Sequence, residues 1–286
     1  LKLDLKSFNQ KLGFFLLSAS FVLVLLIIVI ISFNIISNGY SVINLSFLTE
    51  NPRNGMMSGG IFPSIVGTFF VTVITAVFSV PVGMACAIYL NEYAEQNLFT
   101  RIVRVSIRNL AGVPSIVYGL FGVVLFVQMI GMGTCILSSG LTLGLMTLPL
   151  TITASEEALK NIPASFREGA FALGATKWQA ISTNVLPYAI PGMLTGTILG
   201  LSRAAGETAP LLFTGVAFYL PHLPSSVFDQ FMALPYHLYI MATQHHSVSA
   251  VRPIAYGTAL VLILLVFAMN FGAIILRYKL RKNRKE

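Results

Sequence analysis

Phe14–Ile31 reads FFLLSASFVLVLLIIVII, an apolar run without a single charge. A helix needs roughly 20 such residues to cross the hydrocarbon of a bilayer, and in lipid the backbone must satisfy its own polar groups. The run is therefore read as a membrane-spanning helix. Lys2, Lys6 and Lys11 precede it as the basic end of a signal peptide would, but the apolar stretch is too long for one. No small-x-small cleavage site follows, which predicts an uncleaved anchor. The chain opens on Leu1 rather than methionine, so an upstream start or another start codon remains open.

The rest of the chain has the same character. Of its 286 residues 56% are hydrophobic and 10% charged, with a mean hydropathy of +0.81; a soluble domain is about one quarter charged. Five further spans are predicted: Ile61–Leu90, Leu110–Ile130, Cys135–Ala154, Pro187–Leu220 with a break near Pro210, and Pro253–Leu276. The expected fold is an all-α membrane protein of six transmembrane helices. No internal repeat or low-complexity segment divides it. If the spans alternate, Lys2, Lys6, Lys11, Arg101, Arg104, Arg108, Lys160, Arg167, Lys177 and the tail RYKLRKNRKE share one side. Only Arg53 and Arg252 fall on the other. The excess of positive charge marks the cytoplasmic face, which puts both termini in the cytoplasm. The net charge of +8 is then a topology signal and headgroup anchor, and calls for no nucleic acid.

Metal chemistry finds no support. Cys86 and Cys135 are isolated in or beside predicted spans, without C-x-x-C spacing. His222, His237, His245 and His246 share the outer segment Ala217–Arg252, and no carboxylate or cysteine cluster accompanies the HH pair. That segment is expected to carry a short amphipathic helix against the outer face of the bundle, with Phe228, Phe231, Met232 and Leu238 on its apolar side. A packed cap and a docking surface for an external protein both fit it. Asn34–Gly60 is an outer loop with no assigned chemistry.

Two stretches interrupt the apolar pattern. The first is LSRAAGETAP, Leu201–Pro210, where Arg203 and Glu207 sit inside a predicted span. A charge at mid-bilayer costs roughly 2.5 to 3.5 kcal/mol, and such residues face a bundle interior or a wet cavity. Four residues apart, the two share a helix face about 6 Å apart along the axis and are able to pair. They are read either as a structural lock between helices or as part of a transport path. Arginine's planar fork suits a pair of phosphate oxygens. Glu207 fits an anion path if it accepts a hydrogen bond from protonated phosphate, which fully ionised sulfate lacks; alternatively it holds Arg203 in a closed gate. Gly206 permits close backbone approach, Pro210 frees a helix carbonyl, and Ser202 and Thr208 offer hydroxyls.

The second is the loop from Glu156 to Pro187, EEALKNIPASFREGAFALGATKWQAISTNVLP. At this length it is more than a connector, and its pattern predicts two short helices. One starts near Pro163, aligns Phe166, Ala170 and Leu173, and stops at Gly174. The other starts at Thr176 with a T-x-x-Q capping box to Gln179 and aligns Trp178, Ile181 and Val185 before Pro187. Such a hairpin suits a groove in a partner protein.

Glu168, Gly169 and Ala170, then three residues, Gly174, nine residues, Asn184, one residue, Leu186 and Pro187 resemble the EAA loop of ABC importer permeases. Gly169 stands at that family's first alanine and Asn184 at its usual isoleucine. Further segments are GGIFPSIVGTFFVT at Gly59–Thr72, AIYLNEYA at Ala87–Ala94, AGVPSIVYGLFG at Ala111–Gly122 and SRAAGETAPLLFTG at Ser202–Gly215. Together they resemble the phosphate-importer permeases of the PstA type. The resemblance implies a type I importer bundle: residues 1–60 as tail, first helix and outer loop, 61–276 as permease domain, and 277–286 as basic tail. It implies that Glu168, Gly169, Ala170 and Gly174 couple to an ATPase, and that Arg203, Glu207, Thr208 and Ser202 line the substrate path. The implied partners are a second permease of the PstC type, an ATPase dimer of the PstB type and an extracytoplasmic phosphate-binding protein of the PstS type. The chain itself needs no cofactor, ATP being used by the partner.

Other classes fit less well. The chain holds no H-E-x-x-H, G-x-S-x-G or G-x4-G-K-[ST] pattern, so neither membrane-embedded hydrolysis nor ATPase activity is expected of it. A secondary phosphate transporter would use an intramembrane Arg and Glu but has no reason to display an EAA-like hairpin. A sulfate or molybdate permease of the same family is the nearer alternative, against which GETAPLLFTG speaks.

Overall fold

The computed structural model describes residues 2–220 and 222–282. Residues 283–286 of the basic tail lie outside them, as do the side chains of Lys2, Lys6 and the tail residues 280–282. The described chain is helical almost throughout: α1 (Lys2–Gly39), α2 (Leu45–Thr49), α3 (Phe62–Ile88), α4 (Leu98–Leu110), α5 (Ser115–Gly122), α6 (Ile136–Lys160), α7 (Ser165–Ala172), α8 (Lys177–Gln179), α9 (Leu186–Ala204), α10 (Ala209–Thr214), α11 (Leu234–Thr243) and α12 (Val248–Lys282). Short π-helical segments extend α3 to Tyr93 and α5 to Met129, and a third, Ala180–Val185, joins α8 to α9. A two-residue antiparallel pair, β1 (Pro52–Arg53) and β2 (Ser58–Gly59), lies in the outer loop.

Among the described residues five helices are long and apolar enough to cross a membrane: Ser7–Val42, Phe62–Tyr93, Ile136–Lys160, Lys177–Ala204 and Val248–Lys279. The remaining predicted span, Leu110–Ile130, corresponds to the second limb of a helix pair, Leu98–Leu110 and Ser115–Met129, bent by 102°. Ala111 to Pro114 make the elbow; proline before Ser115 removes a helical donor and pushes the chain out of helix. Tyr118 Oη then donates to the carbonyl of Leu110 at 2.9 Å and holds the bend.

The centre of the bundle is α6, packed between α3 and α9. Its facing surfaces are small and polar: Ser139, Thr142, Thr147, Thr151 and Ser155 on α6, and Ser64, Thr68, Thr75 and Ser79 on α3, are all buried. In lipid, helices associate through close backbone packing, so small residues belong at such a contact. Thr68, Thr75 and Thr142 satisfy their hydroxyls on carbonyls one turn back, at 2.7 to 2.8 Å, and Thr75 also reaches the Gly140 carbonyl of α6 at 3.2 Å. At the other extreme, α1 exposes apolar side chains all round and meets the bundle chiefly along α12.

The outer segment departs from its expected form. Phe228 is exposed in a turn and Phe231 and Met232 are buried in extended chain; the helix begins only at Leu234, where Pro235 stands in its first turn. Instead of lying on the outer face, the segment is let into the bundle. Met232 approaches Gly67 of α3 so closely that a Cβ there would fall 2.0 Å from the Met232 carbonyl oxygen, and the Leu234 amide donates to Thr68 Oγ1 at 2.8 Å.

Candidate functional site

The LSRAAGETAP stretch is not one helix. Helix α9 ends at Ala204, Gly206 and Glu207 turn back on the carbonyls of Arg203 and Ala204, and α10 begins at Ala209 with Pro210 in its first turn. The break falls just before Pro210, near its expected place, because a proline at 210 both lacks an N–H and crowds the carbonyl four residues earlier, at Gly206. Arg203 therefore stands in the last turn of α9, where a cation complements the negative end of the helix dipole. Its Nε lies 3.5 Å from Glu207 Oε1, a loose ion pair in which the arginine is 67% exposed and the glutamate 19%.

Arg203 lines a small cleft with Gly200 of α9, Met146 and Thr147 of α6, and Ala111, Val113 and Ser115 of the elbow. Two segments singled out in the sequence, AGVPSIVYGLFG and SRAAGETAPLLFTG, thus share one wall. They also pack directly: a Cβ at Gly119 would lie 3.0 Å from Pro210 Cα and from the Phe213 ring. Thr208 is half-buried at the start of α10, and its side chain makes no capping bond. Ser202 is placed otherwise; it is buried and its hydroxyl donates to the Ile198 carbonyl at 2.9 Å.

The loop from Glu156 to Pro187 forms a hairpin of α7 and α8, the latter running on into α9 without interruption at Pro187. The proline sits at the start of regular α-helix, just after the π-helical Ala180–Val185. The turn between α7 and α8 is made by Gly174 at φ +82°. Its N–H donates to the Phe171 carbonyl and that of Ala175 to the Ala170 carbonyl, which closes the C-terminus of α7. Thr176 and Gln179 form the expected reciprocal capping box. Of the residues aligned on the apolar faces, Ala170, Ile181 and Val185 are buried, and Leu173 and Trp178 are exposed, Leu173 by 90%. Phe171, Leu173 and Trp178 together form an exposed apolar tip on the hairpin. Glu168 and Gly169 are exposed on α7, and beyond the helix's own backbone a Gly169 Cβ would meet nothing within 4 Å among the described residues.

Two ion-pair nodes that the sequence reading missed anchor this region. Arg167 of α7 binds Glu92 at the end of α3 and also donates to the Ile162 carbonyl at 3.1 Å. Glu92 in turn holds the Arg167 guanidinium above its already high range. Glu156 near the end of α6 accepts Arg104 of α4 at 2.7 Å and Lys160 at 3.0 Å. A carboxylate at the close of each apolar run, Glu92 and Glu156, was the signal available; the arginine partners, 75 and 52 residues away in the chain, were not. No cluster of three metal-ligating side chains occurs among the described residues.

The molecule is thus a bundle of membrane-length helices in which one is followed by a charged break and an apolar-tipped hairpin projects at the end of another. Residues 79–285 match the family of the binding-protein-dependent transport system inner membrane component, and the chain belongs to that family. Among its relatives, "Probable ABC transporter permease protein YqgI" of Bacillus subtilis is 32% identical over 84% of this chain and 85% of its own. The phosphate transport system permease protein PstA 1 of Mycobacterium tuberculosis is 32% identical over 93% of this chain and 86% of its own. That of Mycobacterium leprae, PstA, is 35% identical over 82% and 77%. Among solved structures, the inward-facing MetNI methionine ABC transporter superposes with a TM-score of 0.61 at 17% identity, over 77% of this chain and 97% of that one. A bacterial ABC transporter for alginate gives 0.58 at 12% identity, over 79% and 80%. The fold is that of a type I ABC importer permease, and the chain is a multi-pass inner-membrane component of a transport system.

Proposed function

We propose that this chain is one of two permease subunits of an ATP-driven importer of inorganic phosphate. The observation that carries the reading is its likeness, over nearly the whole chain, to phosphate transport permeases. Arg203, Glu207 and Thr208 would line the path at the break between α9 and α10, with Ser202 holding the helix beneath them. The Arg203 guanidinium is the only cation of that cleft's lining and offers charge-assisted hydrogen bonds to phosphate oxygens.

The hairpin is the proposed seat of an ATPase subunit. Its exposed apolar tip, Phe171, Leu173 and Trp178, suits a groove, and Glu168, Gly169, Ala170 and Gly174 give it its shape. Movement of the seated hairpin would pass into α9 directly, because α8 and α9 are one continuous rod. A second permease of the PstC type, two ATPase subunits of the PstB type and a phosphate-binding protein of the PstS type complete the proposed system. The excess of basic residues on the hairpin side supports a cytoplasmic hairpin and cytoplasmic termini. A cysteine at Asn54 should then react with an impermeant thiol reagent in intact cells and one at Leu173 should not.

The functional test is purification of the chain with its co-purifying subunits and their reconstitution in proteoliposomes. Uptake of labelled phosphate that requires ATP and the binding protein supports the reading. Accumulation of sulfate or molybdate in its place overturns the substrate. Uptake without ATPase subunits, driven by a proton gradient, overturns the class.

A further inference from the structure

Helix α4 (Leu98–Leu110) carries two apolar faces. One, formed by Thr100, Val103 and Ile107, packs on the bundle and is pinned by Arg104, which binds Glu156, the Leu90 carbonyl and Gln96. The other, formed by Leu98, Phe99, Ile102 and Val105, is exposed, Leu98 and Phe99 by 72% and 74%. Arg101 and Arg108, seven residues apart and thus on one side of the helix, flank this second face. Neither makes an ion pair among the described residues.

The orientation of α4 says what covers that face. The limb that follows it, Ser115–Met129, belongs to the bundle and packs on α6 and α10, while α4 turns from it by 102°. A helix nearly perpendicular to a membrane-crossing one runs along the membrane plane. Its bond to Glu156, next to Lys160 at the end of α6, puts it on the same side as the hairpin and at the depth where the crossing helices end. A helix with an apolar face, flanking arginines and this placement has the properties of an interfacial helix.

We propose that α4 lies in the headgroup layer on the hairpin side, its Leu98, Phe99, Ile102 and Val105 face among the acyl chains, and that Arg101 and Arg108 bind the phosphates of anionic lipids. The charge complementarity names the occupant. Two guanidiniums without an ion pair among the described residues, Arg108 bonded only through Nε to the Arg104 carbonyl at 3.4 Å and lining a cleft with Glu156 and Glu157, match a phosphate-bearing amphiphile, and they lie poorly against an apolar protein surface, which would have to desolvate them. The elbow at Ala111 to Pro114, whose residues line the Arg203 cleft, is thereby tied to the membrane surface at one end. This inference rests on the membrane fold alone and is independent of the transported substrate.

The test uses the assembled complex in nanodiscs. A fluorophore on a single cysteine, Phe99→Cys in a Cys86→Ser, Cys135→Ser background, is exposed to lipids brominated on their acyl chains, either phosphatidylglycerol or phosphatidylcholine. The expected result is quenching by both, with about a fivefold preference for the anionic lipid per arginine. Arg101→Gln with Arg108→Gln should abolish the preference and leave the depth of the probe unchanged. Absence of quenching, together with cross-linking of position 99 to the second permease, would show a protein contact and overturn the proposal. Equal quenching by both lipids, unaffected by the arginine changes, would overturn the headgroup recognition.

Discussion

Arg167 closes a two-point contact on Glu92, Nε to Oε2 at 3.0 Å and Nη2 to Oε1 at 2.6 Å, across 75 residues of chain. It fastens α7 to the end of α3, and its bond to Ile162 fastens the same side chain to the segment leaving α6. The guanidinium is thus where the hairpin meets both helices. Glu92 is only 5% exposed, and a buried carboxylate stripped of its partner is costly. Arg167→Gln should destabilise docking of α7 by about 3 kcal/mol, read as faster hydrogen exchange over Ser165–Ala172 in the assembled complex. Adding Glu92→Gln should recover most of that loss, because no charge is then left unpaired. Unchanged exchange in Arg167→Gln would show that the pair does not hold the hairpin.

Gly174 and Gly169 lie in the same short hairpin and should respond in opposite directions. At φ +82° a side chain is strained by about 1 to 2 kcal/mol, so Gly174→Asp should spoil the turn. Membrane insertion should survive, while capture of the ATPase subunit and phosphate uptake both fall. Gly169 lies within helix with open space around its Cα. Gly169→Ala should stabilise α7 by roughly 0.5 to 1 kcal/mol and leave uptake intact. Normal transport by Gly174→Asp would remove the coupling role of the hairpin.

His237 gives the outer segment a pH dependence. It is buried in α11, and neither ring nitrogen has a hydrogen-bond partner among the described residues. Burial, with a smaller contribution from His245, pushes its pKa down to about 4. His245 itself accepts from the Ser247 amide at Nδ1, so its Nε2 carries the proton that it donates to the Gly55 carbonyl at 2.8 Å. Between the ordinary histidine pKa of about 6.5 and the folded value the unfolded state binds the extra proton, so stability falls with pH through that window. The loss should reach about 3 kcal/mol at most. Protease resistance of Leu234–Thr243 should decline from pH 6.5 to 4, and His237→Leu should flatten the decline.

What was legible in the sequence follows the range of the interactions. The spans, the capping box at Thr176 and the stop at Gly174 depend on residues within a few positions of one another, and the chain displays them. The break between α9 and α10 was legible for the same reason, since Pro210 acts on a carbonyl only four residues upstream. The seating of Met232 against Gly67 and the nodes at Glu92 and Glu156 depend on which helices become neighbours. Periodicity along a single helix carries no record of that. The elbow at Ala111 to Pro114 was hidden for another reason: an apolar run looks the same whether it crosses a membrane straight or turns by 102° first.

The Arg203–Glu207 contact separates a transport role from a structural one. At 3.5 Å, with Arg203 67% exposed, the pair has little to give stability; exposed ion pairs contribute about 0 to 1 kcal/mol. If Arg203 meets phosphate, Arg203→Gln should leave the complex assembled, since glutamine keeps hydrogen-bonding capacity and much of the length. Uptake should nevertheless fall severely, because charge-assisted bonds are about twice as strong as neutral ones. Lysine should rescue only in part, keeping the charge but losing the planar fork. Glu207→Gln should distinguish its own two roles. As an acceptor for protonated phosphate it should lose selectivity against sulfate, whereas as a gate latch it should leak substrate without ATP. If the pair only locks helices together, each single change leaves one charge uncompensated, and Arg203→Gln with Glu207→Gln should restore yield and uptake together. The measurement is uptake per assembled complex in both single variants and the double. Near-normal uptake in the double would rule out action on phosphate, and a well-assembled double that fails to transport would establish that the charges act in the path.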